Sequence, residues 1–335
     1  MHSSAAARNA LECVLEAKEN ESLVIFCDDV RVEVGEAFHE GAKSLGLHTN
    51  LVVLETNENV FRKQLQTQHQ KFLTTQRPDI YINLLRGTRE ETPFRIKLIH
   101  AETGDHKTRL GHCPGITIDM LTEGALTLTA AEHRLMQAFA DKLMKKLANT
   151  IKIEITNPAG TSLTFSVEDR AFFTDTKVDW KTMKWMNLPT GEVFAAPVET
   201  SLEGMLVCDM AIGGIGPLNT PFTITAKNGT VQATRSGDGD VKKRVDESLA
   251  TDAMAKVVGE FAFGINPKAR FVDEFLETEK IKGTIHIAFG DNLGYPSGKN
   301  NSANHMDFLI SKPTVNAYKK NHKAITLLKD GVFQT

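Results

Sequence analysis

The chain has 335 residues, 41% hydrophobic and 24% charged, with a formal net charge of −3. That length predicts two domains, since single cores stop growing at roughly 250–300 residues, and the near balance of charge gives no electrostatic basis for a nucleic-acid or anionic-membrane partner. Cys13, Cys27, Cys113 and Cys208 form no CxxC pair, which excludes a zinc ribbon and fits reduced thiols, and no apolar run approaches the ~20 residues of a membrane span, so a cytoplasmic location is expected.

From the N-terminus, helix and strand patterns alternate. Residues 5–18 have helical spacing, "SLVIFCDD" (22–29) reads as a short buried strand ending in two acids, and residues 32–45 put Val34, Ala37, Phe38 and Ala42 on one helix face. "HTNLVVLET" (48–56) returns as a strand. The spacing then predicts a helix over 57–75, a strand at "DIYINLL" (79–85), a next strand at "GITIDML" (115–121) and a helix from Thr129 to Leu147. Such alternation predicts a mostly parallel sheet flanked by helices, a Rossmann-like α/β domain over residues 1–148. No GxGxxG follows the first strand, so a dinucleotide is not indicated. Asp28 and Asp29 follow a parallel strand, where ligands often sit; a surface acidic turn is the expectation.

After Asn149 the pattern changes. "IKIEITNPAGTSLTFSV", "TPFTITAKNGTVQATRSG" and "KAITLLKDGVFQ" are pairs of alternating runs around turn residues, Asn-Gly being the strongest short hairpin signal. One helical segment is predicted over 241–258, with Val245, Leu249, Met254 and Val257 among its apolar positions. The expectation is an α+β, mainly antiparallel C-terminal domain over residues 149–335. Three tempting features have structural readings. "GGIGP" (213–217) precedes a hairpin rather than a helix, so it reads as a tight turn. "SGDGDVKKR" has Leu249 where a calcium loop needs Glu, so it reads as a turn and helix entry. His112 and Cys113 are adjacent in an extended segment and point apart.

The chemistry concentrates in the second half. In "NNSANHMDFLI", His305 and Asp307 are two positions apart on an extended segment, so both face one spot. In "KGTIHIAFGDN", His286 faces away from the row Ile285, Ile287, Phe289. Glu192 in "NLPTGEVFAAP" and Glu260 in "VVGEFAFGINP" are carboxylates among apolar neighbours, costly to bury unpaired, and neither segment carries a Lys or Arg. The five supply N and O donors suited to one or two divalent ions.

In this order along the chain, "NLPTGEVFAAP", "GEFAFGINP", "EKIKGTIHIAFGDN" and "GKNNSANHMD" resemble the metal-dependent M29 aminopeptidases, the thermophilic aminopeptidase T family. The resemblance implies that Glu192, Glu260, His286, His305 and Asp307 bind two ions of zinc, cobalt or manganese in the C-terminal domain. It also implies a site tyrosine, for which Tyr295 in "LGYPSG" is the match, and a homodimer. The function that follows is release of N-terminal amino acids from short peptides by a metal-activated water, with Glu192 or Glu260 as general base and Tyr295 donating to the oxyanion. The same fold family includes 2,5-dihydroxypyridine 5,6-dioxygenases, which open a hydroxylated pyridine ring with one non-haem Fe(II). His286, His305 and Asp307 are all that such an iron needs, so this alternative stays open. A closed structural metal site is the non-enzymatic alternative, distinguished by the absence of an open coordination position.

Overall fold

Strand Ser22–Asp28 is buried from Leu23 to its end, the unbroken apolar pattern of a strand covered on both faces. In the computed structural model, which describes residues 2–104, 107–181, 184–321 and 323–334, this strand lies inside a five-stranded parallel sheet. The spatial order is His48–Leu54, Ser22–Asp28, Ile80–Leu84, Arg109–His112 and Trp185–Asn187. It belongs to a compact unit made of Met1–Ala138, Asp175–Gly191 and Asn266–Arg270. Ala6, Ala10, Leu11, Val34 and Phe38, from helices Ser3–Cys13 and Val32–Ser44, cover one face of the sheet. Phe72, Phe94, Leu98 and Ile99 cover the other with Val24, Phe26 and Tyr81. The expected α/β architecture is present.

Three predicted elements of this unit differ. The helix expected over 57–75 is confined to Thr67–Thr74, because the preceding loop turns Arg62 inward. Its guanidinium clasps Asp28 at 2.6 and 2.9 Å and reaches Glu91 at 2.8 Å. Asp28, expected in a surface turn, is therefore fully buried; its Oδ2 also accepts from Arg86 N at 2.7 Å. Asp29 alone is exposed. The strand expected at 115–121 is Arg109–His112 instead, and the chain turns at Gly115 (φ 82°) before the short helix Ile118–Thr122.

The second unit comprises Phe139–Thr174, Glu192–Ile265 and Phe271–Thr335. Its strands form an eight-stranded and a seven-stranded sheet, antiparallel throughout the paired registers. The sheets pack face to face through Phe165 on Phe261 and Phe222 on Phe308, ring centres 5.1 and 6.0 Å apart. Asn228 and Gly229 both take positive φ (52° and 75°) in the turn between Phe222–Lys227 and Thr230–Ser236, the conformation that Asn-Gly favours. Asp238 caps the helix Gly239–Leu249 by accepting from Asp240 N and Val241 N. That helix stops at Leu249 instead of running to 258: Asp252 accepts from Met254 N in a turn, and Val258 already starts the next strand.

Burial alone would raise the Glu91 carboxyl pKa, but the Arg86 and Arg62 guanidiniums outweigh it and hold it down at about 2, against 4.5 ordinarily. A depressed folded-state value adds stability above the ordinary carboxylate value, lost as pH falls from 4.5 towards 2. Arg62→Met leaves two buried carboxylates without their main partner and is expected to destabilise the chain by about 3–5 kcal/mol in urea unfolding at neutral pH. A change below about 1 kcal/mol would contradict this reading of the network.

Candidate metal centre

Four neighbouring strands of the seven-stranded sheet carry the five candidate ligands: Glu192–Ala195, Val258–Gly264, Ile285–Gly290 and His305–Ile310. Their registers put all five side chains on one face. Glu192 stands opposite Gly264, His286 opposite Ala262 and Glu260 opposite Ala288, Asp307 opposite Ala288 and His305 opposite Gly290. These cross-strand neighbours are Gly or Ala, which clears space for the acids and imidazoles, while on its other side His286 stands opposite Leu309. On the opposite face, Phe261, Phe263, Ile285, Ile287, Phe289 and Phe308 are fully buried and seat the sheet on its partner.

The side chains converge. His286 Nε2 is 3.7 Å from Glu192 Oε1, 3.7 Å from Glu260 Oε1 and 3.8 Å from Asp307 Oδ1. His305 Nε2 is 3.2 Å from Glu260 Oε2 and 3.4 Å from Asp307 Oδ1. His305 Nδ1 lies 2.8 Å from the Asp291 carbonyl oxygen. That oxygen only accepts, so Nδ1 carries the hydrogen and Nε2 is presented to the acids. Glu192, Glu260 and His286 are buried, Asp307 is half-buried and His305 is open to solvent. "GGIGP" makes the expected tight turn and itself joins two short antiparallel strands, Ala211–Ile212 and Gly216–Pro217, and Gly213 N donates to Asp307 O at 2.9 Å.

Electrostatics match the geometry. Burial lowers the pKa of His286, but the carboxylates of Glu192, Glu260 and Asp307 raise it to about 10. For His305, whose ring is partly open to solvent, the hydration lost against the cluster opposes the charged form, and Asp307 and Glu260 drive the pKa well up. Glu260 is held far below the usual carboxylate range by the two imidazoles, against the cost of burial. A cluster of N and O donors with this much negative charge fits divalent metal ions. Two trios, Glu192–Glu279–His286 and Glu260–His286–Asp307, each offer donor atoms within 4.8 Å of one another.

Tyr295 joins the cluster: its hydroxyl donates to Glu260 Oε2 at 2.7 Å. Burial and the Glu260 charge raise its pKa well above 10, so the phenol keeps its proton at neutral pH. The loop that carries it is tied by Glu199, which accepts from Asn292 Nδ2 at 3.1 Å, from Lys299 N at 2.9 Å and from the Arg170 guanidinium. Arg170 also donates to Ser297 O.

Lys280 does not stand out in the sequence pattern. Its side chain is 1% exposed, with Nζ 2.6 Å from Glu192 Oε2 and 2.9 Å from Glu279 Oε1. The segment around Glu192 carries no Lys or Arg, and the positive charge that a buried carboxylate calls for comes from a separate segment. "EKIKG", six residues before His286, carried the signal: a lysine beside an acid leading into a buried strand. His112 and Cys113 have the expected structural role. Burial keeps the imidazole neutral, its pKa down to about 3, and pushes the thiol pKa up.

The sequence profile of the thermophilic metalloprotease family (M29) matches residues 130–333, more than half of the chain. No curated protein sequence matches. Among solved structures, 2,5-dihydroxypyridine dioxygenase from Pseudomonas putida KT2440 superposes with a TM-score of 0.71 at 15% identity, over 99% of this chain and 97% of that one. Wild-type AmpT from Thermus thermophilus superposes with a TM-score of 0.70 at 16% identity, over 99% of both chains. At these identities the likeness is one of fold.

If the five side chains hold metal, Mn²⁺ or Zn²⁺ at 100 times Kd adds about 2.7 kcal/mol to the stability of chelator-treated protein. The expected outcome is a melting temperature that rises with added metal in the wild type and much less in His286→Ala. An equal rise in both would contradict a centre built on His286.

Proposed function

This chain belongs to the thermophilic metalloprotease (M29) family, and from that premise we propose that it is a metal-dependent, aminopeptidase-like hydrolase that releases N-terminal amino acids from short peptides. The observation that carries the reading is the convergence of Glu192, Glu260, His286, His305 and Asp307 on one sheet face. Divalent ions held there supply Lewis acidity, lowering the pKa of a water and polarising the scissile carbonyl.

The chain's own residues supply the rest. Both glutamates are engaged at Oε2, Glu192 by the buried Lys280 ammonium and Glu260 by the Tyr295 hydroxyl and His305. The base role is assigned to Glu260, whose partners can turn to a substrate, while the Lys280 ion pair is buried. In this reading Glu260 takes the proton of the attacking water and returns it to the departing amine as the C–N bond breaks. Tyr295, protonated and 2.7 Å from Glu260, turns its one hydrogen from Glu260 to the oxygen on which negative charge develops. His305, the ligand most open to solvent, marks the side from which substrate enters.

A second reading has its own support. His286, His305 and Asp307 form a two-histidine, one-carboxylate set, with Asp307 Oδ1 3.8 and 3.4 Å from the two Nε2 atoms. That is the donor set of non-haem Fe(II) oxygenases, and it would suit ring cleavage of a dihydroxypyridine. An oxygen electrode trace that stays flat with Fe²⁺ and dihydroxypyridines removes it.

For the hydrolase, chelator-treated protein reloaded with Co²⁺, Zn²⁺ or Mn²⁺ is expected to release free amino acid from dipeptides. Tyr295→Phe is expected to lower kcat by about 10²–10³-fold with metal content unchanged, and Glu260→Gln to lose most activity. No turnover across a dipeptide panel by fully loaded wild type would overturn the reading.

A further inference from the structure

The two oxygens of Glu192 have different neighbours. Oε1 faces His286, 3.7 Å from Nε2, while Oε2 lies 2.6 Å from Lys280 Nζ. The same ammonium lies 2.9 Å from Glu279 Oε1. We propose that Lys280 is a positioning residue that holds Glu192 as a one-oxygen ligand, Oε1 towards the metal and Oε2 on the ammonium, and that Glu279 serves Lys280 rather than the metal. This rests on the metal-dependent reading above, with Glu192 as a ligand.

The backbone keeps Lys280 in register with its target. Gly264, opposite Glu192 in the sheet, donates to Thr284 O at 3.1 Å and accepts from Gly283 N at 3.0 Å. The turn that follows Lys280 is thereby hung on the strand next to Glu192. A Cβ at Gly264 would lie 2.2 Å from Ile281 O and 3.0 Å from Glu279 O, so the close approach needs glycine. The charges of Glu279 and Lys280 cancel. Between them they aim Glu192 without altering the net negative charge that Glu192, Glu260 and Asp307 offer a cation. Outer partners that fix a ligand's orientation typically change metal affinity by about 10–100-fold.

The pair also gives a clean test. Glu279→Gln with Lys280→Met removes both charges, so the net charge of the site is unchanged and a loss of affinity reports orientation. Mn²⁺ is titrated calorimetrically into chelator-treated full-length protein. The expected result is about a 10–100-fold loss at one of the two sites in the double variant, with the other site retained, and Glu279→Gln alone close to wild type. Wild-type affinity in the double variant overturns the proposal. So does a loss in Glu279→Gln alone as large as in the double variant, which would make Glu279 a ligand. A wild type that binds no metal overturns this and the hydrolase reading together, whereas normal metal binding without peptide turnover removes only the latter. If the double variant does not fold, a crystal structure of metal-loaded wild type decides: Glu192 monodentate with its second oxygen on Lys280 supports the proposal, and a bidentate Glu192 overturns it.

Discussion

Three carboxylates brought onto one face of a four-strand segment, with a fully apolar opposite face, are the constraint on which the rest of this unit depends. Packing Glu192, Glu260 and Asp307 around His286 at 3.7–3.8 Å is unfavourable unless positive charge is supplied, because desolvated like charges repel strongly. Without a metal the chain answers with its own groups: two imidazoles whose pKa the carboxylates raise, and one lysine. A divalent cation would take the place of the Nε2 protons, because a ligating imidazole must be neutral, and the donor atoms are already arranged for it.

The surroundings are built to keep that arrangement from relaxing. Gly264, Ala262, Ala288 and Gly290 make room on the functional face, while phenylalanines lock the other face to the second sheet. Around the rim, polar groups aim individual side chains: the Asp291 carbonyl turns His305, Lys280 turns Glu192, and Glu199 ties the Tyr295 loop. Rigid strands place the candidate ligands, and the loop after His286 brings the Tyr295 hydroxyl to Glu260. This division is common where binding must be precise and access must remain.

How much of this was legible in the sequence depended on whether the signal was local. Alternation around His286 and the two-residue spacing of His305 and Asp307 determine a face without tertiary knowledge, and both are seen in the registers. Asn228-Gly229 and Asp330-Gly331 mark hairpins because their backbone conformation is intrinsic to those residues. Arg62 and Lys280 were not legible. Arg62 sits in a stretch with helix-like composition, yet two carboxylates distant in sequence, Asp28 and Glu91, draw it out of a helix. Lys280 is a charged residue buried at 1% exposure, and composition always favours the surface for such a residue. The strand at Arg109–His112 was missed for a similar reason, since a charged residue at its start broke the apolar pattern while its side chain is 2% exposed.

The central claim is that the five convergent side chains form a divalent metal centre suited to hydrolysis. Elemental analysis of protein purified without chelator or added metal tests it most directly, with the His286→Ala, His305→Ala and Asp307→Ala variants measured alongside. The account predicts about two equivalents of zinc, cobalt or manganese per wild-type chain and a loss of metal in each variant. Metal-free wild-type protein that also fails to take up these ions on dialysis, or a stoichiometry unchanged by the three substitutions, would contradict it.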